Sequence, residues 1–599
     1  MSGRKKANAA AILLDHYDRH WKWLVVAVWL GFAAYFIAQR YSDIQFFNLT
    51  DTDDNMRFMQ VRALLDGQGW YDLRQYRLNP PYGADIHWSR LVDLPLAGLI
   101  LLLRPFLGGA EAARWAVAIG PLLPYLVMLF ALASTVRRLV DRRAWPLAFI
   151  ALFFCGSANG MFMPERIDHH GWQLAMLAVA VSAIADPKRL RGGLVLGAAT
   201  AGSLAIGLEL LIYLALAGSL TVLAWIIDRD QAPRLRGYAL AMSGGTSLAF
   251  LLFASNANWF AVCDALSPVW LSDAVLGGAL LFALTWRSPA DWRVRLALAA
   301  AAGAAIAAFH GLAWPHCLTR LEGVSPEVER LWLSHVREAR PIWKHGLRTA
   351  STIVAVPITG LVGWALLAWW KRKDRDLLRR ILSAAAPGTV AVLLLMWQTR
   401  TGPAAQMLGT IGAAALPWLL VPVLWRLKNP YVAAAASAAV GVVGLGGALP
   451  LVMNYVPNEP ANATGLAIRR ANAGCNSLWG WRTVAAQPKG IVFSFVDTGP
   501  RLIAVTHHDG IIGPYHRNGQ QIADVMNAFR GSADQARAII GKYRADYLLV
   551  CPNSSTTTIF RSEAPGGFYD QLAKDKVPAW LTPIDLGADA PFRMWKVAR

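Results

Sequence analysis

Charge is scarce in this chain: 16% of its 599 residues are Asp, Glu, Lys or Arg, against 55% hydrophobic ones. A soluble globular protein carries about 25% charged residues, so an aqueous globule is excluded for most of the sequence. The mean hydropathy of +0.35 agrees. Acid is scarcer than base, which leaves a formal net charge of +20. Nucleic acid is nevertheless not the implied partner. The basic residues stand in short clusters between apolar runs, the pattern by which Lys and Arg collect in cytoplasmic loops. Cysteine is scarce as well, and the five cysteines form no CxxC or other metal-binding pattern. A small-residue cleavage site is missing after the first apolar run. Arg4, Lys5, Lys6 and that run therefore read as a signal anchor and not a cleaved signal peptide.

What is there in abundance is long apolar runs, recurring from Trp23 to about Tyr455 and then stopping. The chain divides accordingly into a cytoplasmic N-terminus (1–22), a membrane domain (23–455) and a tail (456–599) that reads as a small mixed α/β domain. A spanning helix needs about 20 mostly apolar residues. The first is Trp23–Ala38, starting inside. The apolar run Leu91–Leu107 contains Pro95 and Arg104, and counting it as a span would put Arg137, Arg138, Arg142 and Arg143 outside. It is therefore placed along the outer interface. The clusters Lys188–Arg191, Arg229–Arg236, Arg287–Arg295, Lys371–Arg380 and Arg426–Lys428 then all fall inside, with room for two helices between successive clusters. The expected fold is mainly α: a polytopic helical protein of the bacterial inner membrane with about thirteen spans, its tail domain periplasmic. Cys263, Cys317, Cys475 and Cys551 would face the oxidising side, where Cys263–Cys317 and Cys475–Cys551 are candidate disulfides.

Two outer loops are long and polar, 40–93 and 310–348, and a shorter one runs from Met163 to His170. Loops on a rigid scaffold are where chemistry concentrates. The first opens with Asp51, Asp53 and Asp54, followed by Asn55 and Arg57. Three neighbouring carboxylates repel unless a cation neutralises them, and a divalent ion bound by oxygen would in turn hold a phosphate. A capped helix start accounts for the same residues. The second loop supplies Asp168, His169 and His170. Asp168 and His170 can ligate one metal from an extended stretch, or all three can form a polar helix entry. The third carries Glu327, Glu329 and Glu338, each of which reads equally as a solvated acid, Glu338 paired with Arg337 or Arg340. Arg400, in a short outer loop, suits a lipid phosphate or a snorkelling role. All these signals fall on one side of the membrane.

In that order and placement the motifs resemble the catalytic subunit of oligosaccharyltransferase, a GT-C membrane glycosyltransferase. Asp51, Asn55 and Arg57 match the spacing of that family's first outer-loop motif, and Pro81, Gly83, His87, Trp88 and Pro95 resemble the stretch that follows. Asp168–His170 resembles the archaeal Asp-His-His motif. Val336, Glu338, Pro341 and Trp343 are similar to a motif of the large fifth outer loop, with the Trp one residue closer. Arg400 sits where the family keeps an Arg for the donor pyrophosphate. The tail departs from the pattern. The family's Trp-Trp-Asp-Tyr-Gly, which grips the acceptor sequon, corresponds here to Phe495–Gly499, keeping Asp497 and Gly499 but neither Trp.

The resemblance implies thirteen spans, an outward tail, and transfer of a sugar or oligosaccharide from a polyprenyl-(pyro)phosphate donor with inversion. The expected ligands of Mn²⁺ or Mg²⁺ are Asp51, Asp168, His170 and Glu338, with Asp51 or Glu338 acting on the acceptor and Arg400 on the donor phosphate. Asp53, Asp54, Arg57, His169, Asp497, His516 and Arg517 are expected to line the substrate. The clusters Thr506–Gly510 and Pro514–Asn518 read either as acceptor contacts or as satisfied turns. Loss of the indole pocket disfavours Asn-linked protein glycosylation and leaves the acceptor open among protein, lipid and polysaccharide. Two other functions fit less well: a polyprenyl-monophosphate-sugar transferase acting on lipid or envelope polysaccharide, and a flippase of lipid-linked glycans. A flippase would place its ionisable residues in mid-membrane cavities, where Glu209 is the main candidate.

Overall fold

The computed structural model describes residues 2–49, 51–318, 324–457 and 462–598. The side chains of Arg4, Lys5, Lys6 and Arg337, and residues 319–323, lie outside the described residues. Seven helices are long and apolar enough to cross a membrane: Leu14–Gln39, Gly109–Leu139, Pro268–Trp286, Trp292–Ala313, Leu347–Trp370, Arg375–Leu394 and Thr399–Leu424. The pair Pro430–Gly444 and Ala448–Tyr455, bent by 83°, makes an eighth if counted as one span. This is fewer than the expected thirteen. Five further helices, Trp145–Phe153, His170–Ile184, Arg189–Ile206, Leu211–Ile227 and Ala232–Phe253, are shorter or carry arginines in their first turns.

Small residues bring the helices together, as they do where packing and not water drives association. Gly360 and Gly363 of helix Leu347–Trp370 meet Gly409 and Gly412 of the next long helix but one. A Cβ on Gly363 would lie 1.8 Å from the Gly412 carbonyl oxygen. The bend before Ala448 depends on Gly446, whose φ of +79° and closeness to Val356 both exclude a side chain. Helix Arg90–Leu107 buries Arg90, Val92, Asp93, Leu96, Ala97 and Ile100 and exposes Leu94, Leu101, Leu102, Phe106 and Leu107. It is amphipathic and, as expected, is not among the helices apolar enough to span.

The tail holds a five-stranded sheet of order β2-β1-β3-β5-β4. Its strands are β1 (Ile491–Phe493), β2 (Asp509–Gly510), β3 (Tyr547–Val550), β4 (Leu581–Ile584) and β5 (Arg593–Val597). β1 runs parallel to β2 and β3, and β5 runs antiparallel to β3 and β4. Helices such as Gly519–Arg530 and Ala533–Lys542 form the crossover from β2 to β3.

The first loop is built into this tail. Leu49, Met56, Leu78, Ile86 and Trp88 share one apolar core with Phe493, Leu502, Ile512 and Tyr515. Leu78 forms a parallel bridge with Gly510. Arg77 donates to Asp509 at 3.0 Å and to the carbonyls of Ile503 at 2.7 Å, Thr506 at 3.1 Å and His508. The cluster Thr506–Gly510 is thus a satisfied turn that docks the first loop, and the acceptor-contact reading of it is corrected. Cys263–Cys317 and Cys475–Cys551 are both disulfide-bonded, while Cys155 is a buried free thiol.

Candidate active site

Asp51 adopts an extended backbone and caps helix Thr52–Leu65, its Oδ1 accepting from the Asp53 N–H at 3.0 Å. The capped-start reading therefore holds at the level of the backbone. The other oxygen is free for chemistry and meets Arg166 Nη1 at 2.6 Å. Asn55 fixes the entry to this helix by donating to the carbonyls of Leu49 and Asp51, at 2.6 and 2.7 Å. Arg57 does not face a substrate. Only 1% exposed, it pairs with Asp93 at 2.8 Å, lies 4.3 Å over the Trp88 ring, and shares Asp93 with Arg90 at 3.0 Å. It joins two helices beneath the site, which corrects its expected role.

Arg166 is the hub that the sequence did not single out. Its guanidinium reaches Asp51, Asp54 at 3.1 Å and Asp168 at 3.4 Å, and Asp54 also accepts the Asp168 N–H at 3.0 Å. One cation thus faces three carboxylates, with Asp53 alongside. Burial, then Asp168 and Asp51, push the Asp53 carboxyl well above the usual range. Burial pushes Asp54 up to about 7, with Arg166 opposing. Such an excess of buried acid is what a divalent cation would neutralise. Three residues upstream of Asp168, Glu165 sits at φ +74°, an uncommon conformation for a non-glycine residue. Its carboxylate is buried with neither oxygen hydrogen-bonded, and burial, then Asp43, push it up to about 8.

Asp168, His169 and His170 offer ligand atoms within 4.8 Å of one another. Neither Asp51 nor Glu338 belongs to that group. His170 Nδ1 hydrogen-bonds Asp168 Oδ2. His169 lies between Asp168, at 2.5 Å from Nδ1, and Glu209, at 2.8 Å from Nε2. Burial works against its protonation, yet Asp168 and Glu209 raise it to about 10. Burial likewise opposes ionisation of Asp168, and the two imidazoles outweigh it and hold that carboxyl well below the usual range. With both nitrogens beside carboxylates, His169 suits orientation better than substrate contact. Asp168 and His170, with Asp51 across Arg166, make an O and N donor set that fits a divalent cation. Glu209 stands in the break between helices Arg189–Ile206 and Leu211–Ile227 and within neither.

The tail covers this cluster. Asp497 occupies the turn Val496–Thr498 ahead of helix Gly499–Val505. Burial, then Asp51, push its carboxyl up to about 6. Arg501 donates to Asn55 Oδ1 at 3.2 Å. The Tyr515 hydroxyl donates to the Thr52 carbonyl at 3.3 Å, with its ring against Trp88. His516 and Arg517 hold Asp264 of the loop before helix Pro268–Trp286, at 2.6 Å each. In this structure they dock the tail on that loop.

Glu338 and Arg400 stand apart. They pair with each other while 52% and 45% of their side chains stay exposed. Among the described residues, no contact joins Glu338 to Asp51, Asp168 or His170. The expected convergence of positions 51 and 338 is not present in this structure. The loop carrying Glu338 is tied at one end to the tail, through Glu327 to Asn527 at 2.9 Å and His335 to Glu563 at 2.7 Å. At the other end Thr399 N–H donates to the Arg340 carbonyl at 2.9 Å.

No family model matches the chain, and no characterised protein matches it in sequence. Solved structures do match its fold. The archaeal oligosaccharyltransferase AglB of Archaeoglobus fulgidus, in complex with an inhibitory peptide and a dolichol-phosphate, superposes with a TM-score of 0.67 at 13% identity. That match covers 97% of this chain and 75% of the other. The Archaeoglobus fulgidus oligosaccharyltransferase tethered to an acceptor peptide with an NVT sequon gives 0.66 at 12%, over 97% and 74%. Its complex with Zn and sulfate gives 0.57 at 14%, over 91% and 69%. The chain thus has the fold of an oligosaccharyltransferase of the GT-C type, as its motifs implied. At this identity the likeness concerns the fold alone.

Proposed function

We propose that this protein is a metal-dependent, inverting glycosyltransferase. It moves a sugar or oligosaccharide from a polyprenyl-(pyro)phosphate donor to an acceptor on the periplasmic face of the bacterial inner membrane. The observation that carries this reading is the convergence of Asp51, Asp54 and Asp168 on Arg166 under the tail, with His170 bonded to Asp168. Two disulfides at the loop and tail end support an oxidising compartment there. The seven long helices, the bent pair and the five shorter ones would make up thirteen spans. The structural relatives bound to dolichol-phosphate and to an acceptor peptide support a lipid-linked donor.

In this reading Asp51, Asp168 and His170 would hold the cation, with Glu338 as a further carboxylate of the site. The ion, Mn²⁺ by preference over Mg²⁺ because an imidazole is among the donors, would supply charge neutralisation for the departing phosphate. Arg166 keeps Asp51 and Asp168 converged. Glu209 fixes His169, which in turn orients Asp168. Arg400 binds the donor phosphate. Because Glu338 and Arg400 neutralise each other here, an incoming phosphate competes for Arg400 and releases Glu338 toward the acceptor. The single exposed pair that must break costs under about 1 kcal/mol. Asp51 or Glu338 then polarises the acceptor nucleophile. Asp497, in the tail and beside Asp51, lines the acceptor side, with Asp53 and Asp54 nearby.

The test is transfer by the purified, reconstituted protein from a polyprenyl-linked donor. Asp51→Ala and Glu338→Ala are each expected to abolish turnover while membrane insertion is unchanged. Wild-type turnover in either variant overturns that residue's assignment. Intact-mass analysis of the released lipid separates a pyrophosphate donor from a monophosphate one.

A further inference from the structure

We propose that His87, Asp264 and His516 form a second transition-metal site, suited to Zn²⁺, that fastens the tail to two loops of the helical domain. The three residues come from remote parts of the chain. His87 precedes helix Arg90–Leu107, Asp264 precedes helix Pro268–Trp286, and His516 opens the tail turn His516–Asn518. Their ligand atoms nevertheless lie within 4.8 Å of one another.

The Asp264 side chain is 2% exposed and accepts from His516 Nε2 at 2.6 Å, from Arg517 Nε at 2.8 Å and from Arg517 Nη2 at 2.6 Å. An ion pair with Arg517 by itself explains the burial of Asp264. It does not explain His87, whose ring centroid lies 4.5 Å from that of His516 and whose Nδ1 is buried without a hydrogen-bond partner. An orphaned buried nitrogen is costly, and a bound cation would satisfy it.

Two imidazoles and a carboxylate are a common zinc donor set, with bonds of about 2.0–2.2 Å. Tetrahedral ligation at that length puts donor atoms about 3.3 Å apart, between the shortest contact here and the outer limit of the group. Water would complete the shell. A small cleft lined by His87, Trp88, Phe253, Asn258 and Ala265 lies beside the group. The neighbouring disulfide Cys263–Cys317 anchors the loop that carries Asp264.

The full-length protein in detergent, stripped with a chelator and desalted, is titrated with Co²⁺ as a spectroscopic probe and then with Zn²⁺. Bound metal is counted by mass spectrometry. His87→Phe keeps a ring against His516 and leaves the Asp264–Arg517 pair intact. The expected result is one metal equivalent fewer in His87→Phe than in the wild type, with loss of the visible bands of tetrahedral Co²⁺ assigned to that equivalent. Zn²⁺ should raise the wild-type unfolding temperature more than that of His87→Phe. Equal metal content in the two proteins overturns the proposal, whatever the fate of the Asp168 site. His516→Ala should lose the same equivalent. If that variant fails to fold, His87→Phe still decides.

Discussion

The carboxylates gathered on Arg166 and the single carboxylate held by Arg400 use the same chemistry in opposite surroundings. Around Arg166, Asp54 and Asp168 are buried while Asp51 is 40% exposed, and all three accept backbone N–H groups, so their geometry belongs to the fold. Glu338 and Arg400 are each about half exposed and hold only each other. A buried cluster is preorganised, and removing one member leaves the others uncompensated. An exposed pair is screened by water and contributes little to stability. The first arrangement can keep a cation site in place before substrate arrives, and the second is free to exchange partners.

Removing the pinned carboxylate should have the largest effect. Asp168→Ala is expected to abolish transfer, a loss of more than about 10³-fold on the scale of a lost electrostatic contribution in a closed site, in a reconstituted turnover assay. An Asp168→Ala protein with full turnover would remove the buried cluster from the chemistry altogether. Next comes Arg57→Ala, which leaves Asp93 to Arg90 alone and removes the guanidinium over the Trp88 ring. A loss of about 1.5–3 kcal/mol is expected from removing a buried charge-assisted hydrogen bond, read from thermal or denaturant unfolding. Glu338→Ala should move stability by less than about 1 kcal/mol although it abolishes transfer, and equal destabilisation by the two variants would erase the contrast. Arg400→Ala should raise the donor KM by about tenfold with a smaller change in kcat, as loss of a ground-state contact does.

The smallest expected effect is a pH slope. Glu165 is pushed up by burial to about 8, from an ordinary 4.5, so between those values the folded protein keeps a proton that the unfolded chain releases. Stability on this account is highest at the acid end and falls as pH rises through that window. Glu165→Gln should flatten the slope in unfolding measurements from pH 5 to 8, and an unchanged slope would assign it to other groups.

Much of the site could be read along the chain because its residues lie in short segments. Asp51, Asp53 and Asp54 share one helix start, and Asp168, His169 and His170 are consecutive. Arg166 lies two residues from Asp168 but was passed over, since a lone Arg in a loop carries no signal until its partners are known. Glu209 looked like a residue within a span because a two-helix hairpin with a short break reads as continuous apolar sequence. Tyr515 and Asp264 could not be found at all, since their partners lie hundreds of positions away. The span count failed a simple length test for a related reason. Helices packed among other helices, such as His170–Ile184, need neither full length nor uniform apolarity.

Local chemistry settled the solvent of each segment, the alternation of basic clusters, the helix caps and the kinds of donor available, because these depend on composition and on neighbours a few residues apart. Which carboxylates meet was decided by the packing of the first loop into the tail core and by the glycine contacts between helices. Convergence of distant side chains is a property of the folded volume, and burial, which sets their charge, exists only once that volume is closed.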